Sequence, residues 1–181
     1  APSGSWLRRL VESLSGEPRD LEQLNEVLAD ARDRGLIDAD VLAMLEAVLQ
    51  VSDMQVRDVM VPRSQMDVVQ LDDSIDRIAH FAIDTGHSRF PVVGQGKDDV
   101  VGIFHAKDLL PHFIGRPFDL RAMLRPAVFI PESKRLNVLL REFRVSRNHM
   151  ALVADEKGGV AGLVTIEDVL EPYLIQQGYL Q

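Results

Sequence analysis

Thr165-Ile166-Glu167-Asp168 is the segment richest in chemistry. It stands where an apolar strand pattern, Val160–Val164, gives way to helical spacing. A helix N-terminus presents unpaired N–H groups and the positive end of the dipole, so it attracts phosphate. Thr165 adds a hydroxyl donor, and Asp168, one turn on, can accept from both hydroxyls of a ribose. The same spacing suits a capping box, with Thr at the N-cap and an acid at N3. Spacing alone favours the cap. Glu167 reads as a solvated helix position, or as a carboxylate for a phosphate-held Mg²⁺, an ion that uses few protein carboxylates and keeps waters. His105-Ala106-Lys107-Asp108 stands 60 residues earlier with His in place of Thr, so the phosphate hydroxyl is missing there. If these segments take phosphate, one good site and one degraded site are expected.

Other chemistries are poorly served. There is no cysteine, which excludes disulfides, thiolate nucleophiles and Cys-based zinc sites. Five scattered histidines show no metal-ligand spacing, so no protein-held metal is expected. No Ser/His/Asp or paired-carboxylate arrangement stands out, and the chain is expected not to be an enzyme. Gly94-Gln95-Gly96-Lys97 lacks P-loop spacing, and Asp155–Gly159 reads as a hairpin turn. The basic helix with Lys134, Arg135, Arg141, Arg144 and Arg147 reads as a solvated face, or as a surface for anions or an acidic hairpin.

The elements that position these residues come twice. Arg57–Pro62 aligns with Arg121–Pro126 at an offset of 64. Arg89–Val93 aligns with His149–Val153, and Gly102–Leu110 with Gly162–Leu170, both at 60. Each copy reads strand (Val68–Leu71; Ala127–Pro131), helix, strand (Arg89–Val93; His149–Ala154), strand (Val100–Phe104; Val160–Val164), helix. The fold class is therefore α+β, two β-α-β-β-α repeats in a pseudo-twofold pair. Ahead of them, Leu21, Leu24, Val27, Leu28 and Ala31 keep helical spacing up to Gly35, and a second helix starts near Asp38. That pair is an acidic helical hairpin. The expected divisions are 1–19 mobile or short helical (a helix within 6–14), 20–55 hairpin, 56–115 first repeat, 116–172 second repeat and 173–181 an atypical tail. Pro172 is expected to end the last helix.

Charge follows these divisions. The 181 residues carry a net −8. Residues 1–55 hold 5 Lys/Arg against 11 Asp/Glu, and residues 56–181 hold 15 against 17. Such acidity disfavours nucleic acid as a partner. No run approaches the roughly 18 apolar residues of a membrane span, so a cytoplasmic protein is expected.

VRDVMVPRSQM, GHSRFPVV, AKDLLP, PESKRLNVLLREFR, NHMALVADE and GLVTIEDVLE resemble the CorC/HlyC family, linked to magnesium and cobalt efflux, and its paired CBS domains, a Bateman module. The resemblance covers about residues 20–171. It implies that the repeats bind an adenosine nucleotide, AMP or ATP, with or without Mg²⁺, through Thr165 and Asp168. It also implies main-chain contacts to the base from His87, Phe90 and Pro91, and phosphate contact from Arg89. Met66 and Phe90 would offer apolar surface to a purine, and Val61 would lie in the loop bordering it. Core packing for Met66 and Phe90, and a surface ion pair for Arg89, are the competing readings. A homodimer through the CBS domains, a membrane ion transporter as partner and a place at the inner membrane are implied as well. The competing function is a structural dimerisation module with a vestigial pocket.

Overall fold

The computed structural model describes residues 18–176. The helix expected within 6–14, and residues 177–181 of the tail, lie outside the described residues. The chain divides at Val51/Ser52 and at Pro172/Tyr173 into two compact units.

The first unit carries helices α1 (Leu21–Asp33) and α2 (Ala39–Ser52). Asp20 caps α1 by accepting the Gln23 N–H at 2.8 Å. Gly35, at φ 73°, takes the left-handed turn after the helix, where glycine is favoured. Asp38 then accepts the Val41 N–H at 2.8 Å and starts α2.

The second unit opens with α3 (Val56–Val59) and β1 (Val61–Pro62). Its first repeat runs β2 (Val69–Gln70), α4 (Ile75–Thr85), β3 (Arg89–Val93), β4 (Val100–His105) and α5 (Leu110–Phe113). After α6 (Leu120–Met123), the second runs β5 (Phe129–Pro131), α7 (Leu136–Ser146), β6 (Met150–Ala154), β7 (Val160–Thr165) and α8 (Ile166–Gln176). β2 pairs parallel with β3, and β3 antiparallel with β4. β5, β6 and β7 repeat that arrangement. Phe90, Val92, Val93, Leu152 and Val153 are fully buried, which is why β3 and β6 read as continuous apolar runs.

The two repeats exchange their leading segments. β1 belongs to the first repeat's sequence but pairs antiparallel with β7, Val61 opposite Leu163. Conversely, Arg125 pairs with Ile103 of β4 through two backbone bonds of 2.8 and 2.9 Å. Glycine permits both approaches: a Cβ on Gly102 would lie 2.9 Å from the Arg125 carbonyl oxygen, and one on Gly162 would overlap that of Val61. One core cluster joins the repeats, with Met66 and Ile103 packed among Met150, Leu152, Val160 and Leu163. A polar clamp adds to it. Arg63 pairs with Asp98, which also accepts the Val160 N–H at 2.9 Å.

Several boundaries differ from expectation. The strands expected at 68–71 and 127–131 shorten to Val69–Gln70 and Phe129–Pro131. The first repeat's last helix is a 3-10 turn, Ala106–Leu109, followed by a single α turn, with Pro111 inside and Gly115 at φ 82° after it. Pro172 does not end α8, which continues to Gln176. A proline removes one N–H and crowds the carbonyl four residues back, here Asp168, without obliging the chain to leave the helix.

Candidate functional site

A cavity of about 390 Å³ opens between the repeats. The exchange of leading segments builds it. β1 brings Val61 against Leu163 of β7, and Gln65 and Asp67 follow on the same wall. The turn after α4 supplies Gly86, His87 and Ser88, and the first residue of β3 supplies Arg89. The far wall is His149 and Met150 at the start of β6, with Thr165, Glu167 and Asp168 at the β7–α8 junction.

Thr165 and Asp168 are locked together. The Thr165 N–H and its hydroxyl both donate to Asp168 Oδ2 at 2.8 Å, and the Asp168 N–H donates to Thr165 Oγ1 at 3.3 Å. This is the reciprocal capping box, and it orients a carboxylate and a hydroxyl at the cavity wall. His87 Nε2 lies 2.8 Å from Asp67 Oδ2 across the opposite rim. Arg89 has no carboxylate partner among the described residues. It is a lining residue without an ion-pair partner, unlike the surface ion pair considered from sequence.

Val61, His87, Arg89, Thr165, Asp168 and Glu167 are thus brought together. Val61 is in a short strand rather than a loop. Met66, Phe90 and Pro91 are not on the lining. Phe90 is fully buried among Val69, Ile78, Val92 and Phe104, and Met66 is 4% exposed in the core between the repeats. Alternation explains Phe90: Arg89 begins β3 at the cavity, and the next residue points into the core. Pro91, two residues on, is buried as well. Gln65, Asp67, Gly86, Ser88, His149, Met150 and Leu163 were missed. His149 could have been found, since it stands 60 residues after Arg89 in the repeat alignment.

The corresponding place in the first repeat is different. Arg125 Nη1 donates to Asp108 Oδ2 at 2.5 Å. Burial holds the His105 imidazole below its ordinary pKa, and the positive charges of Arg125 and Arg89 push the same way. Among the described residues, no cluster of His, Asp and Glu is arranged to hold a metal ion by itself, and no helix is long and apolar enough to cross a membrane.

Two β-α-β-β-α repeats with exchanged leading strands and a cleft of small-molecule size define a two-repeat α+β module. Residues 56–115 and 119–174 match the CBS domain, and residues 16–51 match a family described as the N-terminal region of NMB0537. The chain is 47% identical over 169 residues to the magnesium and cobalt efflux protein CorC of Vibrio cholerae, covering 92% of this chain and 58% of that protein. It therefore spans somewhat over half of that relative's length. A conserved domain of unknown function from Neisseria meningitidis MC58 superposes with a TM-score of 0.75 at 54% identity, over 82% of this chain and 97% of that one. The CBS domain of a bacterial CNNM/CorC family Mg²⁺ transporter in complex with ATP gives 0.68 at 34%, over 72% and 94%. A CBS-domain pair with bound AMP from Klebsiella pneumoniae gives 0.56 at 25%, over 65% and 96%. The chain belongs to the CBS-domain family, as a tandem pair of the CNNM/CorC kind.

Proposed function

We propose that this module binds an adenosine nucleotide, AMP or ATP, in the cleft between its repeats and reports occupancy to an ion-efflux system. The observation that carries the reading is the Thr165–Asp168 pair on the lining of the same cavity as Arg89, which has no carboxylate partner among the described residues. A carboxylate accepts ribose hydroxyls, and a guanidinium with a helix N-terminus receives phosphate. The cavity volume falls within the roughly 300–1,000 Å³ of small-molecule sites. The relatives bound to ATP and AMP support the ligand class. Asp67, Glu167 and Asp168 outnumber Arg89 on the lining, so a triphosphate fits best with Mg²⁺ bound to it, with Glu167 on that side. Occupancy acts by favouring one of two arrangements of the repeats, which needs no catalytic step.

In this reading 20–55 is a hairpin appended to CBS repeats at 56–115 and 116–172, working at the cytoplasmic side of an ion transporter in the inner membrane. Amide shifts on AMP titration test the site. Val61, Arg89, Thr165 and Asp168 are expected to move, while the His105–Asp108 segment stays still. The reverse pattern refutes the placement.

A second reading, a dimerisation module, is favoured by one feature. Leu110, Phe113 and Ile114 are 66%, 67% and 74% exposed at i, i+3, i+4 spacing. A second copy of this chain is the proposed cover. Phe113→Glu is expected to shift a dimer to monomer in sedimentation velocity, and an unchanged sedimentation coefficient counts against that interface.

A further inference from the structure

The pseudo-twofold relation makes each repeat a comparison for the other. Val61, Arg89, Thr165 and Asp168 line the cavity. Their counterparts by repeat alignment are Arg125, His149, His105 and Asp108. The carboxylate suited to a ribose is therefore present twice. In the first repeat it is already engaged, because Arg125 Nη1 donates to Asp108 Oδ2 at 2.5 Å and the Asp108 side chain is only 22% exposed. Arg125 is anchored for this role by its two backbone bonds to Ile103. Val61 has the equivalent edge position against Leu163 and brings no donor.

We infer that Arg125 closes the first repeat's site, so that the module takes one nucleotide per chain. The inference rests on the nucleotide reading above. A ribose entering the first site would have to displace a charge-assisted ion pair before gaining its own bonds to Asp108. His105 reinforces the exclusion. It offers no hydroxyl for a phosphate, and burial, with the charges of Arg125 and Arg89, lowers its pKa and so disfavours the charged ring that would attract one. Substituting His for Thr weakens phosphate contact, whereas Arg125 removes the acceptor itself. Sequence comparison of Thr165 with His105 finds the first effect and not the second.

Arg125→Val combined with His105→Thr gives the first site the Val, Thr and Asp of the second, keeps His149 where the second has Arg89, and leaves the backbone pairing intact. In calorimetric titration with AMP, the unmodified chain is expected to bind one nucleotide and the double variant two. In a Thr165→Ala/Asp168→Ala background, binding is expected to be lost and then restored by the same two changes. One site in both the unmodified chain and the double variant overturns the inference while leaving the nucleotide reading standing. Two sites in the unmodified chain overturn it as well. No binding by the unmodified chain refutes the nucleotide reading and this inference with it. Arg125→Ala carries the same comparison if the valine variant melts early. An NMR titration adds a readout without ligand. Arg125→Val is expected to raise the His105 pKa, and an unchanged pKa refutes the placement of the guanidinium.

Discussion

Asp168→Ala separates the two roles of the capping box. The Asp168 carboxylate accepts the N–H and the hydroxyl of Thr165, both at 2.8 Å, at the start of α8. Loss of a helix cap costs about 1 kcal/mol, which lowers the melting temperature of a domain this size by roughly 2–4 °C. Ligand binding is expected to suffer more. Two ribose hydroxyls donating to a carboxylate are worth about 1.5 kcal/mol each, so their loss weakens AMP roughly 100-fold. Asp168→Asn keeps an oxygen acceptor for Thr165 and loses the charge. It should melt close to the unmodified chain and still bind AMP much more weakly. Asp108→Ala removes a carboxylate that Arg125 already occupies, and affinity should hold. Calorimetry and thermal melts on the three variants decide the matter. A drop in melting temperature with unchanged affinity for Asp168→Ala, or equal affinity losses at Asp108 and Asp168, would refute the ligand role.

Gly162→Ala places a Cβ on the Val61 carbonyl and forces β1 off β7, so denaturant unfolding should show a loss of about 1–3 kcal/mol, and no loss contradicts the exchanged pairing. Arg147 ends α7 at φ 56°, whereas Gly86 ends α4 at φ 69°. Arg147→Gly relieves a left-handed conformation and should stabilise by about 1 kcal/mol, with a destabilised variant counting against it. The bond from Arg63, then that from the Val160 N–H, holds the Asp98 carboxyl below its ordinary 3.8. Its stabilisation is thus complete above the ordinary value and disappears as pH falls through the lower folded value. The gap in melting temperature between the unmodified chain and Asp98→Asn should close in that acid range, and a constant gap contradicts the clamp.

The repeat was legible because each β-hairpin is local. β3–β4 and β6–β7 leave matching apolar runs and glycines 60 residues apart. The exchange of β1 and Arg125 was not legible, because strands of two residues carry no periodicity and their partners lie about a hundred and about twenty residues away. The same gap explains Arg125. Its meaning depends on Asp108, which sequence spacing does not connect to it. At the cavity, the Thr165–Asp168 pair was visible from cap chemistry, and Arg89 through the family resemblance. Phe90 and Met66 were ambiguous because an apolar side chain serves a purine or a core equally well, and only burial decides. Asp67 and His87 meet through the fold, and nothing in their spacing announces the contact.

Calorimetric titration of the chain with AMP and with ATP, each with and without Mg²⁺, tests the nucleotide reading most directly. Saturable binding of one nucleotide per chain is expected, with Mg²⁺ strengthening ATP and leaving AMP nearly unchanged. No heat and no rise in melting temperature at millimolar nucleotide would contradict it and leave the module as a dimerisation unit.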